Sequence, residues 1–368
     1  MLQGSLVWPG VPLAILSAVL FGASTPFAKL LLGDDGVSPW LLAGLLYLGS
    51  GVGLGIVQLA RAGGAGMRDE APLRRGDLLW LALIVLSGGV VAPVLLMLGL
   101  AATTASAASL LLNLEGLATM AIAWLMFREN VDRRLLLGAA AILAGAVVLS
   151  WQGGAPSMGF GGLGWGAVAI AGACLAWGID NNLTRRLSAA DPVQIAMIKG
   201  LAAGAANLGL AFVAGAQLPS AGAIGGAALI GFFGYGVSLV MFVVGLRHLG
   251  AARTAAYFST APFIGAVLAI AMLGEPVTVR LMVAGLLMAI GLYLHLAERH
   301  EHQHAHEALD HEHRHVHDAH HQHAHDPGDP GGEPHSHLHR HKPLVHAHPH
   351  YPDLHHRHGH RHGHTHAH

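Results

Sequence analysis

Residues 99–151 read GLAATTASAASLLLNLEGLATMAIAWLMFRENVDRRLLLGAAAILAGAVVLSW, which is two apolar segments joined by a short polar turn. A similar stretch returns at residues 245–296 as GLRHLGAARTAAYFSTAPFIGAVLAIAMLGEPVTVRLMVAGLLMAIGLYLHL. Four residues of the first copy match four of the second at one constant offset: Gly99, Glu129, Asp132 and Gly145 match Gly245, Glu275, Thr278 and Gly291. Self-similarity of this length predicts a chain built from a duplicated unit.

The composition of the chain is that of a membrane protein. Of its 368 residues, 53% are hydrophobic and only 11% are charged, and its mean hydropathy is +0.51. Charged residues alone make up about a quarter of a soluble protein, so the sequence predicts an all-α polytopic protein in the lipid bilayer. Cys174 is the only cysteine, which excludes an internal disulfide and a multi-cysteine metal site.

Catalytic chemistry is not expected of this chain. It contains no G-x-x-x-x-G-K-[ST] loop for ATP. Neither H-E-x-x-H nor G-x-S-x-G stands in the structural context that its chemistry needs. We therefore expect no enzyme, no required cofactor and no nucleic-acid partner. No cleavable signal peptide is expected either, because residues 11–32 are long enough to span a membrane.

Ten segments have the roughly 20 apolar residues that a membrane span needs. They are residues 11–32, 39–60, 78–100, 104–127, 133–152, 163–184, 192–214, 223–246, 254–273 and 279–297. Each half of the chain, residues 11–152 and 163–297, holds five of them. Because five is odd, the second half must enter the membrane from the opposite side. The pattern therefore predicts two inverted five-helix repeats, an arrangement typical of secondary transporters.

The basic residues of the short loops predict the orientation of the chain. Most of them fall on the side shared by both termini: Arg61, Arg68, Arg74, Arg75, Arg128, Arg133, Arg134, Arg185, Arg186, Arg247 and Arg253. Only Lys29 and Arg280 lie near the other side. Cytoplasmic loops carry the excess of lysine and arginine. We expect a multi-pass protein of the inner membrane with a cytoplasmic N-terminus and C-terminus.

The five-plus-five plan, the small-residue helix ending in a Glu-containing turn and the glycine-rich helix after it resemble the EamA type of the drug/metabolite transporter superfamily. The resemblance covers about residues 11–297 and implies a transporter of amino acids, metabolites, nucleotide-sugars or drugs, often outward and often with protons. Family copies commonly carry proline in the fourth and ninth helices. This chain keeps Pro262 in the ninth but has Leu114-Glu115-Gly116 in the fourth.

Glu115 is the first candidate for transport chemistry. It stands about ten residues from either end of its predicted helix, near the bilayer midplane, with Ala108 and Thr119 on the same face. Ionisable groups at that depth are costly and usually face a cavity or a partner. The functional interpretation is a carboxylate that binds a proton and a cationic substrate in competition. The alternative is a permanently paired or protonated structural residue.

Lys199 lies about seven residues inside its predicted helix. It either extends back to the membrane surface or pairs with Asp180 or Glu115. Asn181 and Asn182 offer amide donors and acceptors that suit a polar ligand. Helix capping and hydrogen bonds between helices explain the two asparagines equally well.

Two further polar patches lie on predicted helices. Ser24 and Thr25, with Pro26, are expected to interrupt the first helix at the repeat-equivalent of residues 180–182, which would free a carbonyl for a cavity. Tyr257, Ser259 and Thr260 form the analogous patch before Pro262. Either patch is a site of polar contact with the substrate or a kink needed only for packing.

Residues 300–368 hold every histidine except His248 and His295, with few apolar residues, and are expected to be mostly disordered in isolation. Neutral imidazole suits zinc, nickel, copper and cobalt, and histidines at a spacing of two offer many interchangeable ligand sets. The alternatives are a non-binding tail and a segment that gains charge in acid and attracts anionic lipid. The candidate metal ligands are His335, His337, His339, His341, His346, His348, His350, His355, His356, His358, His360, His362 and His364.

Three functions are consistent with these features. The first is proton-coupled efflux of a small metabolite or drug by alternating access, with a metal-binding cytoplasmic tail. The second is transport of a divalent transition metal such as nickel, cobalt or zinc, or of its chelate. The third is a membrane receptor that signals metal status without transport. Whether the protein acts as a homodimer stays open.

Overall fold

The computed structural model describes residues 10–33, 37–62, 75–127, 133–151, 163–184, 191–249, 254, 257–296, 301–306, 309–315, 335–341 and 344–349. The membrane part is helical throughout its long elements. In the first half these are α1 (Gly10–Gly33), α2 (Pro39–Ala62), α3 (Leu78–Ala101), α4 (Ala105–Leu111), α5 (Leu114–Phe127) and α6 (Arg133–Ser150). In the second half they are α7 (Trp165–Thr184), α8 (Pro192–Val213), α9 (Ala221–Ile230, Gly231–Val237 and Ser238–Leu249), α10 (Ala261–Leu273) and α11 (Val279–Leu296).

Apolar helices fall within each of the ten predicted segments. Seven helical stretches in the described part of the chain are long and apolar enough to cross a membrane when Ala105–Leu125, which contains α4 and most of α5, is counted as one; Ala261–Leu273 and Val279–His295 are shorter apolar helices. The prediction of an all-α apolar body is confirmed, whereas the number of membrane crossings stays a prediction.

Side-chain caps explain why several of these helices begin where they do. Asp191 Oδ1 accepts a hydrogen bond of 2.9 Å from the amide of Val193 at the start of α8. Ser38 Oγ accepts a bond of 3.3 Å from the amide of Leu41 in α2. Such bonds satisfy backbone donors that have no partner within the helix. Glu275 caps another element, since its two carboxylate oxygens accept bonds of 2.6 and 2.8 Å from the amides of Ala105 and Ser106 in α4.

The main helix contacts run between the two halves of the chain and come in equivalent pairs. The repeat-equivalent helices α2 and α8 pack against each other, as do α6 and α11. Helix α7 packs against α3 and α5, and its equivalent α1 packs against α9 and α10. Each half therefore completes the packing of the other.

Glycine permits the close approach of α6 and α11. A Cβ atom on Gly291 would lie 2.6 Å from the carbonyl oxygen of Gly138, and a Cβ atom on Gly138 would lie 2.8 Å from the carbonyl oxygen of Gly291. Neither position can carry a side chain without separating the helices. Small residues let membrane helices approach in this way because lipid provides no hydrophobic force to hold them together.

Two helices contain a π-helical turn at equivalent positions. The turn in α3 spans Val85–Val91 and the turn in α9 spans Gly231–Val237, and the same offset that relates the two quoted stretches relates these turns. A π turn widens the helix and changes the partners of its carbonyls, and such turns occur often at functional sites.

The expected continuous fourth helix is instead two helices, α4 and α5. Between them the amides of Asn113 and Glu115 bond to carbonyls three residues back, Leu110 and Leu112, at 3.1 and 3.0 Å. Glu115 consequently lies in the first turn of α5 rather than in the middle of a long helix. The equivalent position in the second half, Ser259 and Thr260, is also a turn and precedes α10.

The expected interruption of the first helix is wrong. Helix α1 runs through Pro26 without a break. Proline removes one backbone donor and strains the turn before it, but packing of α1 on α9 and α10 holds the helix together on both sides of this position.

Part of the histidine-rich tail forms strands: β1 (Glu301–His306), β2 (Leu309–His315), β3 (His335–His341) and β4 (Leu344–Pro349). Strand β1 pairs with β4 and strand β2 pairs with β3, both antiparallel. That the rest of the tail is mostly disordered in isolation stays a prediction. Alternation of histidine with other residues has the period of a strand, two residues, which fits these four strands.

Candidate functional site

Glu115 lies half-buried in the first turn of α5, where the helix dipole favours a negative charge. Asn181 on α7 donates a hydrogen bond of 3.0 Å to Glu115 Oε1. The same amide lies 3.2 Å from the hydroxyl of Thr119, which in turn donates to the carbonyl oxygen of Glu115 at 2.9 Å. The sequence placed Glu115 and Thr119 on one helix face, and the structure adds Asn181 to them.

Asp180 and Lys199 form an ion pair between α7 and α8. Lys199 Nζ lies 2.5 Å from Asp180 Oδ2, and the two side chains are 16% and 5% exposed. Thr184 donates a longer bond of 3.3 Å to the other carboxylate oxygen of Asp180. Of the alternatives for Lys199, pairing with Asp180 is therefore the one found.

The end of α7 brings these groups together because successive residues point to different helices. Asn181 contacts α5 and Asp180 contacts α8. Asp180 also lies against α3, where any Cβ atom on Gly88 would overlap its carboxylate. Asn181, which donates to Glu115, follows Asp180 directly in α7, so the ion pair and Glu115 lie on the same part of that helix. With all three ionised, the cluster carries one net negative charge, which matches one proton or one monovalent cation.

The π turn of α3 presents two backbone carbonyls to this region. The carbonyl oxygen of Gly88 accepts hydrogen bonds from Tyr47 Oη at 2.7 Å and from Trp177 Nε1 at 3.1 Å. The carbonyl oxygen of Gly89 accepts a bond of 2.9 Å from Asn207 Nδ2. Sequence reasoning missed Tyr47 and Asn207. A polar side chain inside an otherwise apolar helix was the signal that marked each of them.

Other predicted site residues have contacts that the packing of the helices explains. Asn182 donates to the carbonyl oxygens of Gly178 and Thr119 at 2.8 and 3.0 Å, so it joins α7 to α5. Ser24 donates to the carbonyl oxygen of Phe21 in its own helix at 2.6 Å, and Thr25 is buried beside it. These bonds satisfy polar groups inside the apolar body.

The patch before α10 is partly accessible. The exposed side chain of Thr260 donates to the carbonyl oxygen of Tyr257 at 2.6 Å, a local bond across the turn. Tyr257 and Ser259 are half-buried. Elsewhere the two halves meet through aromatic rings, since the ring centroid of Tyr235 in α9 lies 5.9 Å from that of Phe21 in α1 and 5.6 Å from that of Tyr47 in α2.

The histidines of the tail fall into two groups. His335, His337, His339 and His341 lie on β3, and His346 and His348 lie on β4. His350, His355, His356, His358, His360, His362 and His364 lie outside the described residues. The letters H-E-x-x-H occur at residues 311–315 on strand β2 rather than on a helix, so the two outer histidines do not have the helical spacing of a metalloprotease site.

Metal ligation has no site among the described side chains of the helices. Within that part of the chain, no three histidine, cysteine, aspartate or glutamate residues lie close enough to hold a metal ion. The cluster around Glu115 offers carboxylate, amide and ammonium groups instead, which suit an organic ligand or a proton better than a first-row metal ion.

Comparison with known proteins agrees with this architecture. The model of the EamA-like transporter family matches residues 8–151 and again residues 164–297. An uncharacterized transporter of Methanothermobacter thermautotrophicus is 28% identical over 290 residues, which cover 76% of this chain and 84% of the relative. A solved crystal structure matches with a TM-score of 0.56 and 20% identity over 78% of this chain and 95% of its own, and so supports the fold. The chain is a multi-pass membrane protein and belongs to the EamA-like transporter family.

Proposed function

We propose that this membrane transporter is a proton-coupled secondary transporter that exports a small cationic metabolite or drug by alternating access. The observation that carries the proposal is the pairing of Glu115 with the neutral amide of Asn181, beside the charged pair of Asp180 and Lys199. No cofactor is required for this function.

The charges of the cluster support coupling to protons. Lys199 neutralises Asp180, so protonation of Asp180 would break an ion pair. Glu115 is hydrogen-bonded by the side-chain amide of Asn181, so it can take up a proton without breaking an ion pair. A proton and a monovalent cation would then compete for Glu115, and each would leave the cluster neutral. Competition of this kind links export of the cation to import of the proton.

The repeated packing of the two halves supports alternating access. Two inverted repeats around a central site can exchange conformations, so that the site opens to one side of the membrane and then to the other. The family match to each half separately and the turns at equivalent positions support a duplicated unit. We propose that both termini are cytoplasmic and that the protein lies in the inner membrane.

Glu115→Gln tests the proposal in proteoliposomes. The variant keeps an acceptor for Asn181 but cannot exchange a proton, so we expect it to insert normally and to lose flux driven by a pH gradient. The substrates for this assay are organic cations that the wild-type protein is first found to transport in the same proteoliposomes. The matched control is Glu275→Gln, which alters a carboxylate that caps α4 and should keep flux with its pH dependence. Unchanged flux in Glu115→Gln would contradict the proposal.

A second candidate is transport of a divalent transition metal or its chelate, which the histidine-bearing strands of the tail favour. The tail would then collect or sense the ion at the cytoplasmic face. Removal of residues 300–368 separates the candidates. Flux of organic cations should persist without the tail, whereas metal flux should fall. Absence of any flux in both forms would favour a receptor that signals metal status.

A further inference from the structure

Two interfaces of the helical body are repeat-equivalents of each other. Helix α1 packs against α9, and its equivalent α7 packs against α3. In each interface a glycine of the π turn faces a polar residue of the other half. A Cβ atom on Gly234 would lie 2.7 Å from Cβ of Ser24, and a Cβ atom on Gly88 would overlap the carboxylate of Asp180. Ser24 and Asp180 stand at equivalent positions, as do the two glycines.

A second pair of equivalent contacts lies about three turns along the same helices. A Cβ atom on Gly245 would lie 3.6 Å from Cβ of Ala14, and a Cβ atom on Gly99 would lie 2.5 Å from Cγ1 of Ile170. The two glycines are equivalent at the offset of the two quoted stretches. Ala14 and Ile170 are equivalent at the offset that relates α1 to α7. The α1–α9 interface and the α7–α3 interface are therefore built on the same plan.

Between these two levels the interfaces differ. Ser17 Oγ donates a hydrogen bond of 2.7 Å to the carbonyl oxygen of Ser238, and Ser238 Oγ donates one of 3.0 Å to the carbonyl oxygen of Ser17. Both serines are buried. The equivalent positions of the α7–α3 interface are Ala173 and Ala92, which are also buried but have no hydroxyl. Reciprocal side-chain bonds at this level thus join α1 to α9, whereas α7 and α3 meet there through methyl groups.

We propose that the serine pair, Ser17 and Ser238, holds the α1–α9 interface closed and so biases the transporter toward opening on the opposite side of the membrane. The inference rests on the alternating access of the proposed function but not on its substrate. With inverted halves, the α1–α9 interface extends from the side at which α1 begins, and the α7–α3 interface extends from the other side. Opening them in turn exposes the central site to each side. Equivalent interfaces of equal strength would give no preference, and the serine pair makes their strengths unequal.

The size of the bias is compatible with a transport cycle. Hydroxyl groups commonly form hydrogen bonds between membrane helices, and each such bond contributes modestly because the separated helices find other partners. Two of them correspond to about a sevenfold change in the equilibrium between a closed and an open interface. A change of that size shifts the populations of the conformations without preventing the interface from opening.

Single cysteines report the opening of each interface in the full-length protein in detergent. The background variant is Cys174→Ala, which removes the native thiol. Ala14→Cys reports on the α1–α9 interface and Ile170→Cys reports on the α7–α3 interface, since the two residues are equivalent and fully buried. A water-soluble thiol reagent reaches either cysteine only when its interface opens. The rate of labelling therefore measures the open population without substrate or a pH gradient.

Two double substitutions change the hydrogen bonds in opposite directions. Ser17→Ala with Ser238→Ala removes them from the α1–α9 interface, so labelling of Ala14→Cys should become about sevenfold faster, while labelling of Ile170→Cys should not rise. Ala173→Ser with Ala92→Ser introduces the same pair into the α7–α3 interface, so labelling of Ile170→Cys should become slower by a similar factor. The second variant adds bonds rather than removing them, and so tests the inference even if the first fails to fold.

Ser109→Ala is the matched control, because the buried hydroxyl of Ser109 on α4 has no hydrogen-bond partner. Neither labelling rate should change in this variant. An unchanged rate for Ala14→Cys without the serine pair would overturn the inference, as would an equal rise at both cysteines, which would indicate general loosening of the helices. Loss of organic-cation flux in the wild type would contradict the proposed substrate and leave the labelling result, and thus this inference, intact.

Discussion

Lys199 Nζ lies 2.5 Å from Asp180 Oδ2. The next residue of α7, Asn181, is neutral and donates a hydrogen bond to Glu115 on α5. The two carboxylates of the cluster therefore differ in what protonation costs them. Asp180 is fixed in an ion pair between α7 and α8. Protonation of Glu115 would break no ion pair, because its hydrogen-bond partner Asn181 is neutral.

Lys199→Gln should destabilise the protein strongly, because it leaves the carboxylate of Asp180 buried without its cation. Removal of one partner from a buried ion pair costs about 3–5 kcal/mol. The double variant Asp180→Asn with Lys199→Gln should recover most of that loss, since two amides can hydrogen-bond without charge. Thermal unfolding of the four proteins in detergent measures the coupling, and a double variant whose losses simply add would contradict the interpretation.

Gly88→Ala should impair folding or transport because the new Cβ atom would overlap the carboxylate of Asp180. The matched control is Gly209→Ala on α8, where no atom lies within 4 Å of the added Cβ. Alanine is favoured over glycine in a helix by up to about 1 kcal/mol, so the control should be neutral or slightly stabilising. Unfolding temperature and flux should separate the two variants, and equal behaviour would show that α3 can move away from Asp180.

Much of the fold is predictable from local features of the sequence. Apolar length predicts the helices, and the side chains of Ser38 and Asp191 cap two of them in the first turn. The same duplicated plan carries the resemblance to the family. The π turns could not be predicted in this way, because a π turn depends on the tertiary partners of its carbonyls, such as Tyr47 and Trp177.

The candidate site was predictable in part for a similar reason. Charged residues in apolar segments are few, so Glu115, Asp180 and Lys199 were found from sequence alone. Their pairing was left open because it depends on the rotation of α7, which packing decides. Low apolar content predicts disorder in the tail, whereas the alternation of histidine with other residues also fits the two-residue period of a strand.

Metal binding by the tail should be lost in acid. Imidazole has an ordinary pKa of about 6.5, and a protonated imidazole cannot coordinate a metal. Affinity should therefore fall as the pH drops through about 6.5 and recover when neutral pH is restored. Calorimetric titration of the full-length protein with nickel or zinc at pH 7.5 and pH 5.5 measures the effect, and equal affinity at both would refute it.

A reporter fused after His368 should read out the cytoplasm, because the loops on that side carry most of the arginine. A second reporter inserted between α1 and α2 should read out the opposite side of the membrane. The paired fusions control for each other, since one reporter type is active only inside and another only outside. The reverse pattern would overturn the proposed orientation and the assignment of the tail to the cytoplasm.

The carbonyl of Gly88 should tolerate the loss of one hydrogen-bond donor but not of both. Tyr47→Phe leaves the bond from Trp177, and Trp177→Phe leaves the bond from Tyr47. Each single loss of a hydrogen bond should cost about 1 kcal/mol, with Trp177→Phe costing more because the smaller ring also leaves a cavity.

The double variant leaves the Gly88 carbonyl buried without either donor, a state that costs about 1–3 kcal/mol in its own right. Its total destabilisation should therefore exceed the sum of the single losses. Unfolding of the four proteins in detergent gives the coupling energy directly. Tyr235→Phe is the control, because Tyr235 packs on the ring of Tyr47 from the other half of the chain. Additive losses would mean that the π turn of α3 does not depend on these two donors for its stability.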